Sequence, residues 1–508
     1  MFSLEQQVKE AWERFSTLLG KISGYNEAIG LLHWDMRTGA PRKGIEVRSA
    51  TVGMLTGEVF RLETSEEMGE FTAYFSRPEI QEQLSPVQNK IVKDCRKEYE
   101  RSKSIPPEQY EAYAVLASQS ESMWEEAKEK NDFASFEPYL SRIIEFKQQF
   151  IDYWGVKGTR YDTLLDMYEP DLTVEKVDAV FTRLRGRLVP LVEQIAASGN
   201  QPDVSFLEQP FDKAGQQAFG LFLLKEMGYD FEAGRLDESV HPFATGLNPG
   251  DVRITTNYLL DHVTSSIFSC LHEGGHALYE QNVSKELVGT PLAQGASMGI
   301  HESQSRLWEN MIGRSRAFWQ RYYGDLQRQF PEQLANVALE DFYRAINKVG
   351  NSLIRIEADE LTYNLHIIVR YEIEKMIFNE GLTAKELPSV WNAKYQEYLG
   401  ITPPNDSLGV LQDVHWSGGD FGYFASYSLG NMYAAQILHT MREKLPQLDE
   451  WIAAGNLLPI KEWLTEQIYR HGQSLTPSEI IERVTGEPLN PDYLADYLET
   501  KYKEIYNL

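Results

Sequence analysis

The chain has 508 residues, 42% of them hydrophobic and 24% charged, with a formal net charge of −26. These values fit a globular chain that buries a large core without disulfide staples, and its two cysteines, Cys95 and Cys270, read as free thiols of a reducing compartment. So acidic a chain lacks the basic surface that displaces counterions from phosphates, which excludes nucleic acid as the expected partner. Its apolar runs, such as Phe219 to Leu224, fall far short of the roughly 20 residues that cross a bilayer. The start, MFSLEQQVKEAWERF, has no basic segment leading into an apolar one. The expectation is a cytoplasmic protein with no membrane partner.

Helical periodicity dominates from the beginning. Val8, Trp12, Phe15, Leu19 and Ile22 recur at three- and four-residue spacing, as do Val177, Val180, Phe181, Leu184 and Leu188 behind Thr173 as an N-cap. Strand-like alternation is scarce. Its best case is Val252 to Tyr258, whose Thr and Tyr content suits a short strand. Thr476-Pro477-Ser478-Glu479 is a capping box with proline at the first helical position, and Asn490-Pro491 opens a last helix. Breaks near 104–107, 197–203 and 400–409 are short helix connections. The reading is one mostly helical body over residues 1–508, with a small β-sheet near the site described next.

That site begins at His272-Glu273-Gly274-Gly275-His276. Residues four apart share one helix face, so two imidazoles there can grip one metal ion. Glu273 stands where it can take a proton from an activated water. Two mid-helix glycines cost about 1 kcal/mol each against alanine, a local rule of the kind broken at functional sites, and their missing side chains let substrate or another backbone approach closely. Downstream, Glu302 in His301-Glu302-Ser303-Gln304 supplies a third ligand; Ser303 to Ile312 looks helical, which places Glu302 in a first turn. Two imidazoles and a carboxylate with one open position describe a catalytic Zn2+ site suited to amide hydrolysis, which Co2+ or Mn2+ could also fill. Cys270 is not needed as a ligand.

Four further polar clusters lie around this core: His241-Pro242-Phe243, Asp251 to Thr255, Ile354 to Asp359 and Gly409 to Trp416, followed by Tyr423 and Tyr427. Singly, each has a structural reading: Arg355 paired with Glu357 or Asp359, the two tyrosines as core aromatics, His415 packed beside Trp416. Together, HPF, DxRxT, HExxH, HESQ, IRxxAD and GxxQDxHW, in that order and without departure, resemble the carboxypeptidase Taq family of zinc metallocarboxypeptidases over most of the chain.

The resemblance implies a largely helical body cut by a deep active-site groove, similar to neurolysin and angiotensin-converting enzyme. It implies release of single C-terminal amino acids from peptides with a free C-terminus, with broad specificity and poor action on proline, by a homodimer. The zinc ligands would be His272, His276 and Glu302, and the general base Glu273. By similarity to groove-type peptidases, Tyr423 would donate to the oxyanion, His415 and His241 would hold substrate and Tyr427 would assist. A planar guanidinium matches a carboxylate bidentately, so Arg355 is the first choice for the α-carboxylate anchor and Arg253 the second. Two other readings stay open. One is a zinc oligoendopeptidase on the same scaffold; the other is a non-catalytic peptide-binding protein stabilised by zinc.

Overall fold

Apolar side chains at helical spacing bury one stripe each, and the stripes meet in one apolar cluster running from Val8 to Tyr506. The computed structural model describes residues 3–508. The helices that matter here are α1 (Leu4–Thr38), α2 (Phe133–Trp154), α3 (Arg160–Tyr168), α4 (Val174–Ala197), α5 (Lys213–Met227), α6 (Val263–Gln281), α7 (Met298–Arg306), α8 (Tyr363–Lys375), α9 (Phe424–Lys444) and α10 (Asp492–Tyr506). Thr173 caps α4 by accepting from the Lys176 amide, and Thr476 with Glu479 closes the expected capping box on the helix Pro477–Thr485. No helix among the described residues is long and apolar enough to cross a membrane.

The sheet has three strands, β1 (Leu236–Glu238), β2 (Ala244–Asn248) and β3 (Asp251–Thr256), with β3 central, parallel to β1 and antiparallel to β2. Val252 and Ile254 are fully buried. The strand stops at Thr256, two residues short of the sequence expectation, where its partner β1 ends at Glu238; beyond it the Asn257 side-chain amide donates to the Val240 carbonyl. Thr256 Oγ1 and Ser269 Oγ lie 2.6 Å apart, fastening β3 to α6, the helix that carries HExxH.

Helix α6 is buried around most of its circumference, and its two glycines explain how. A Cβ on Gly274 would come within 2.8 Å of Leu224 on α5, and one on Gly275 within 2.7 Å of the Gln304 carbonyl oxygen and Ser305 Cα on α7. The opposite side of α7 is pressed as closely: a Cβ on Gly430 of α9 would come within 2.7 Å of Glu302 Cγ. Helix α7 is thus clamped between two glycine contacts.

One sequence expectation is corrected here. Helix α7 starts at Met298, capped by Ser297 accepting from the Ile300 amide, so Glu302 sits a full turn inside it and not in its first turn. The start moves earlier because buried Glu169 accepts from Ser297 Oγ and the Gly299 amide, drawing a glycine-rich stretch into the helix. Leu307–Ile312 then widens into a π-helix.

The Gly275 contact yields a test. Helix propensity alone would favour Gly275→Ala by about 1 kcal/mol, but the new methyl meets backbone, where overpacking costs about 1–3 kcal/mol. Net destabilisation in urea unfolding, with weaker metal binding by calorimetry, is expected; a variant stabilised by the propensity gain would contradict the clamp.

Candidate metal centre and active site

Because α6 presents His272 and His276 one turn apart and α7 is held against it, three ligand atoms converge. His272 Nε2 lies 3.8 Å and His276 Nε2 3.5 Å from Glu302 Oε2, and all three lie within 4.8 Å of one another. Among the described residues no other group of histidines, cysteines and acids makes such a cluster. Cys270 is fully buried and its Sγ packs against Gly220, outside the ligand set. The donor set, two imidazole nitrogens and one carboxylate oxygen, fits a divalent metal of the zinc type.

The outer nitrogens are also engaged. His272 Nδ1 is 2.8 Å from Glu309 Oε2, and His276 Nδ1 is 2.5 Å from His301 Nδ1, whose Nε2 is 2.7 Å from Glu280 Oε1. With both ligand Nε2 atoms unprotonated, His276 donates to His301 and His301 to Glu280, a self-consistent tautomer chain. Arg306 joins the two acids of α7 and the π-turn: its Nε donates to Glu302 Oε1 at 2.6 Å and its Nη1 to Glu309 Oε2 at 3.1 Å.

These contacts set the charges. Burial pushes the Glu273 carboxyl up to about 7. Burial also drives His276 down to about 3, so it stays neutral, as a ligand must. Burial opposes ionisation of Glu302 and Glu309, but the Arg306 guanidinium they share outweighs it, holding Glu302 well below the usual carboxylate range and Glu309 at about 2.

A second cluster forms where α8, the 405–423 segment and α9 meet. Tyr423 and Tyr427 lie 5.1 Å apart between ring centroids, His415 is 5.4 Å from Tyr423, and His415 Nε2 is 3.4 Å from the Tyr427 hydroxyl. Burial, together with the Glu302 carboxylate, pushes the Tyr423 hydroxyl up to about 12, leaving it a protonated donor within the field of the ligand site. Burial lowers His415 to about 4, so it too is neutral. The clusters touch through Tyr363: the Arg306 guanidinium lies 4.5 Å over its ring, and its hydroxyl accepts from Arg355 Nη1 at 3.2 Å.

The ion-pair partner expected for Arg355 needs a correction. Neither Arg355 nor Arg253 offers an unencumbered fork. Arg355 donates Nε and Nη2 to Asp413 Oδ1 at 3.0 and 2.8 Å, so its ion-pair partner is Asp413, not Glu357 or Asp359. Asp413 also takes Arg370 Nε at 2.6 Å, and Gln412 Oε1 takes the Arg355 amide. The IRxxAD and GxxQDxHW segments are therefore one buried ion network, in which Arg355 gives three of its five N–H groups and keeps one on each terminal nitrogen. Arg253 gives both fork nitrogens to Asp251 at 2.7 Å. It lines a cleft with Trp34, Arg48 and Arg235 that includes none of the three ligands. His241 is exposed ahead of β2, and its carbonyl accepts from Ser239 Oγ at 2.7 Å. The HPF and DxRxT segments meet where the Phe243 amide donates to Thr255 Oγ1 at 2.9 Å.

Sequence reasoning missed Arg306, Glu309 and the role of His301. The available signal was spacing: Arg306 is one turn and Glu309 two turns past Glu302, on the same face.

Against known proteins, the profile of the family described as carboxypeptidase Taq (M32) metallopeptidase matches residues 14–502. The chain is 51% identical over 496 residues to Carboxypeptidase 1 of Bacillus subtilis, covering 98% of this chain and 99% of that one. It is 41% identical to Thermostable carboxypeptidase 1 of Thermus thermophilus, over 95% and 97% of the two chains. The crystal structure of the M32 carboxypeptidase from Deinococcus radiodurans R1 superposes with a TM-score of 0.95 at 40% identity, covering 98% and 100%. The fold and site thus define a metal-dependent peptide hydrolase. The chain belongs to the carboxypeptidase Taq (M32) metallopeptidase family.

Partners that orient ligand imidazoles are typically worth 10–100-fold in metal affinity. Glu309→Ala is expected to weaken zinc binding by about that factor in a chelator competition. Unchanged affinity would remove Glu309 from the support of the site.

Proposed function

We propose that this protein is a zinc-dependent carboxypeptidase that releases single C-terminal amino acids from peptides, with broad side-chain tolerance and poor action on C-terminal proline. The observation that carries the reading is the convergence of His272, His276 and Glu302 with Glu273 beside the first of them. When bound, a divalent metal supplies Lewis acidity toward the scissile carbonyl and acidifies water. Glu273, lifted toward neutrality by burial, takes the proton of the attacking water and returns it to the leaving amine. Tyr423, a neutral hydroxyl near Glu302, donates to the developing oxyanion. His415 and Tyr427 frame the substrate, and the two remaining N–H groups of Arg355 receive the α-carboxylate. The family resemblance supports a homodimer.

Glu273→Gln keeps the shape of the side chain and removes its basicity. It is expected to retain about one zinc per chain by elemental analysis while kcat falls by roughly 10³-fold or more, within the range such bases contribute together with their electrostatic role. Turnover at the native rate would take Glu273 out of the mechanism.

One observation favours the oligoendopeptidase alternative: Asp413 and Asp251 already occupy the side-on forks of Arg355 and Arg253. A blocked peptide with a free or an amidated C-terminus separates the two. Cleavage that collapses on amidation supports the carboxylate anchor, and equal cleavage favours the endopeptidase.

A further inference from the structure

The segment between Gly409 and Tyr423 carries His415 and delivers Tyr423 to the start of α9, yet its only helix is the single turn His415–Gly418. Irregular backbone that places a functional side chain must be held by something outside itself. Glu374, near the C-terminal end of α8, is fully buried. Its Oε1 accepts from Trp416 Nε1 at 2.7 Å, and its Oε2 accepts from the Gly422 amide at 2.7 Å and from the Tyr161 hydroxyl of α3 at 2.5 Å. Among the described residues no lysine or arginine forms an ion pair with it. Arg370, one turn back on α8, is spent on Asp413 and Gln412. The carboxylate thus satisfies its lone pairs with neutral donors, two of them on the active-site segment.

Gly422 is fixed a second way. Its φ of +94° suits glycine, and a Cβ there would come within 2.6 Å of the Leu164 carbonyl oxygen on α3. The next residue is Tyr423, whose ring meets the edge of Tyr168, also on α3, at 5.1 Å between centroids. Position 422 is therefore trapped between a backbone wall and the Glu374 carboxylate, one peptide unit before the hydroxyl assigned to the oxyanion.

We propose that Glu374 is a positioning residue of the active site: by accepting from Trp416 and Gly422 at once, it locks the 415–423 segment in the conformation that presents Tyr423. The catalytic consequence rests on the reading of Tyr423 as oxyanion donor; the hold on the segment does not. In Glu374→Gln one oxygen becomes an NH2 group. Whichever way the amide turns, it faces a donor with a donor, Trp416 on one side or Gly422 and Tyr161 on the other.

The test uses the zinc-loaded, full-length enzyme. Glu374→Gln should keep its zinc content. It should quicken hydrogen exchange at the Gly422 and Tyr423 amides at least about tenfold and lower kcat by roughly 10–100-fold with KM changed less than about threefold, since an interaction that serves the transition state alone moves kcat and kcat/KM together. Because Glu374 acts through Tyr423, the double variant Glu374→Gln/Tyr423→Phe should be no slower than Tyr423→Phe alone. Unchanged exchange overturns the hold. Fully additive losses, or a fully active Tyr423→Phe enzyme, overturn the catalytic half while leaving the exchange result to judge the hold.

Should Glu374→Gln not fold, Glu374→Asp retains the charge and withdraws the oxygens by about one C–C bond, about 1.5 Å. The same quickened exchange is expected there, and none would overturn the proposal.

The wild-type enzyme offers an independent readout. Burial lifts the Glu374 carboxyl to about 7. The groups facing it are Tyr161 and Tyr168 from α3 and Asp420 from the segment, with Lys147 of α2 beside Asp420. Protonation uses one acceptor site. Gly422 exchange, corrected for its intrinsic rate, should therefore quicken as pH falls through about 7 and lose that dependence in Glu374→Gln; a flat wild-type profile would count against the hold.

Discussion

Everything at the metal centre depends on how closely two backbones approach. Helix α7 lies against α6 where Gly275 leaves room for the Gln304–Ser305 backbone, and against α9 where Gly430 leaves room for Glu302 itself. A side chain at either place would shift Glu302 relative to the imidazole pair, away from it at 275 and toward it at 430. Packed interiors respond to single methyl groups because their density leaves no slack. The two glycines of HExxH, costly by helix propensity, thus serve packing on both sides: Gly274 toward α5 and Gly275 toward α7.

Around that contact, the protein manages buried charge by sharing it. Arg306 bridges Glu302 and Glu309, and Asp413 bridges Arg355 and Arg370. Each bridge satisfies most of the hydrogen-bonding capacity of its members, the condition under which buried ions are tolerated. The two networks meet at Tyr363, so the ligand helix and the segment bearing His415 and Tyr423 form one electrostatic unit. Glu169 and Glu374 follow another rule. Each is buried among three neutral donors, each is lifted to about 7 by burial, and each anchors an element of the site: Glu169 the start of α7, Glu374 the turn before Tyr423.

Much of this was legible in the residues. The spacing of His272, Glu273 and His276 dictates one helical face, and the capping chemistry at Thr173 and Thr476 marks helix starts that the structure reproduces. Other readings failed for physical reasons. Glycine-rich 295–299 reads as loop because propensity is local; a carboxylate from Glu169, some 130 residues earlier in the chain, draws Gly299 into α7. Arg355 reads as the partner of nearby Glu357 or Asp359 because sequence shows only near neighbours; Asp413 arrives from 58 positions away.

The chemistry on offer could be read from the residues alone: two imidazoles and a base on one helix, a distant acid, and an acidic, mostly helical chain. Those follow from side-chain identity and helical period, which are local properties. Which carboxylate each arginine keeps, which histidine backs His276, and where the wall is that fixes Gly422 are set only once the chain has folded. Such pairings arise when elements far apart in sequence are pressed together, and burial then makes an unmatched charge too costly to leave alone.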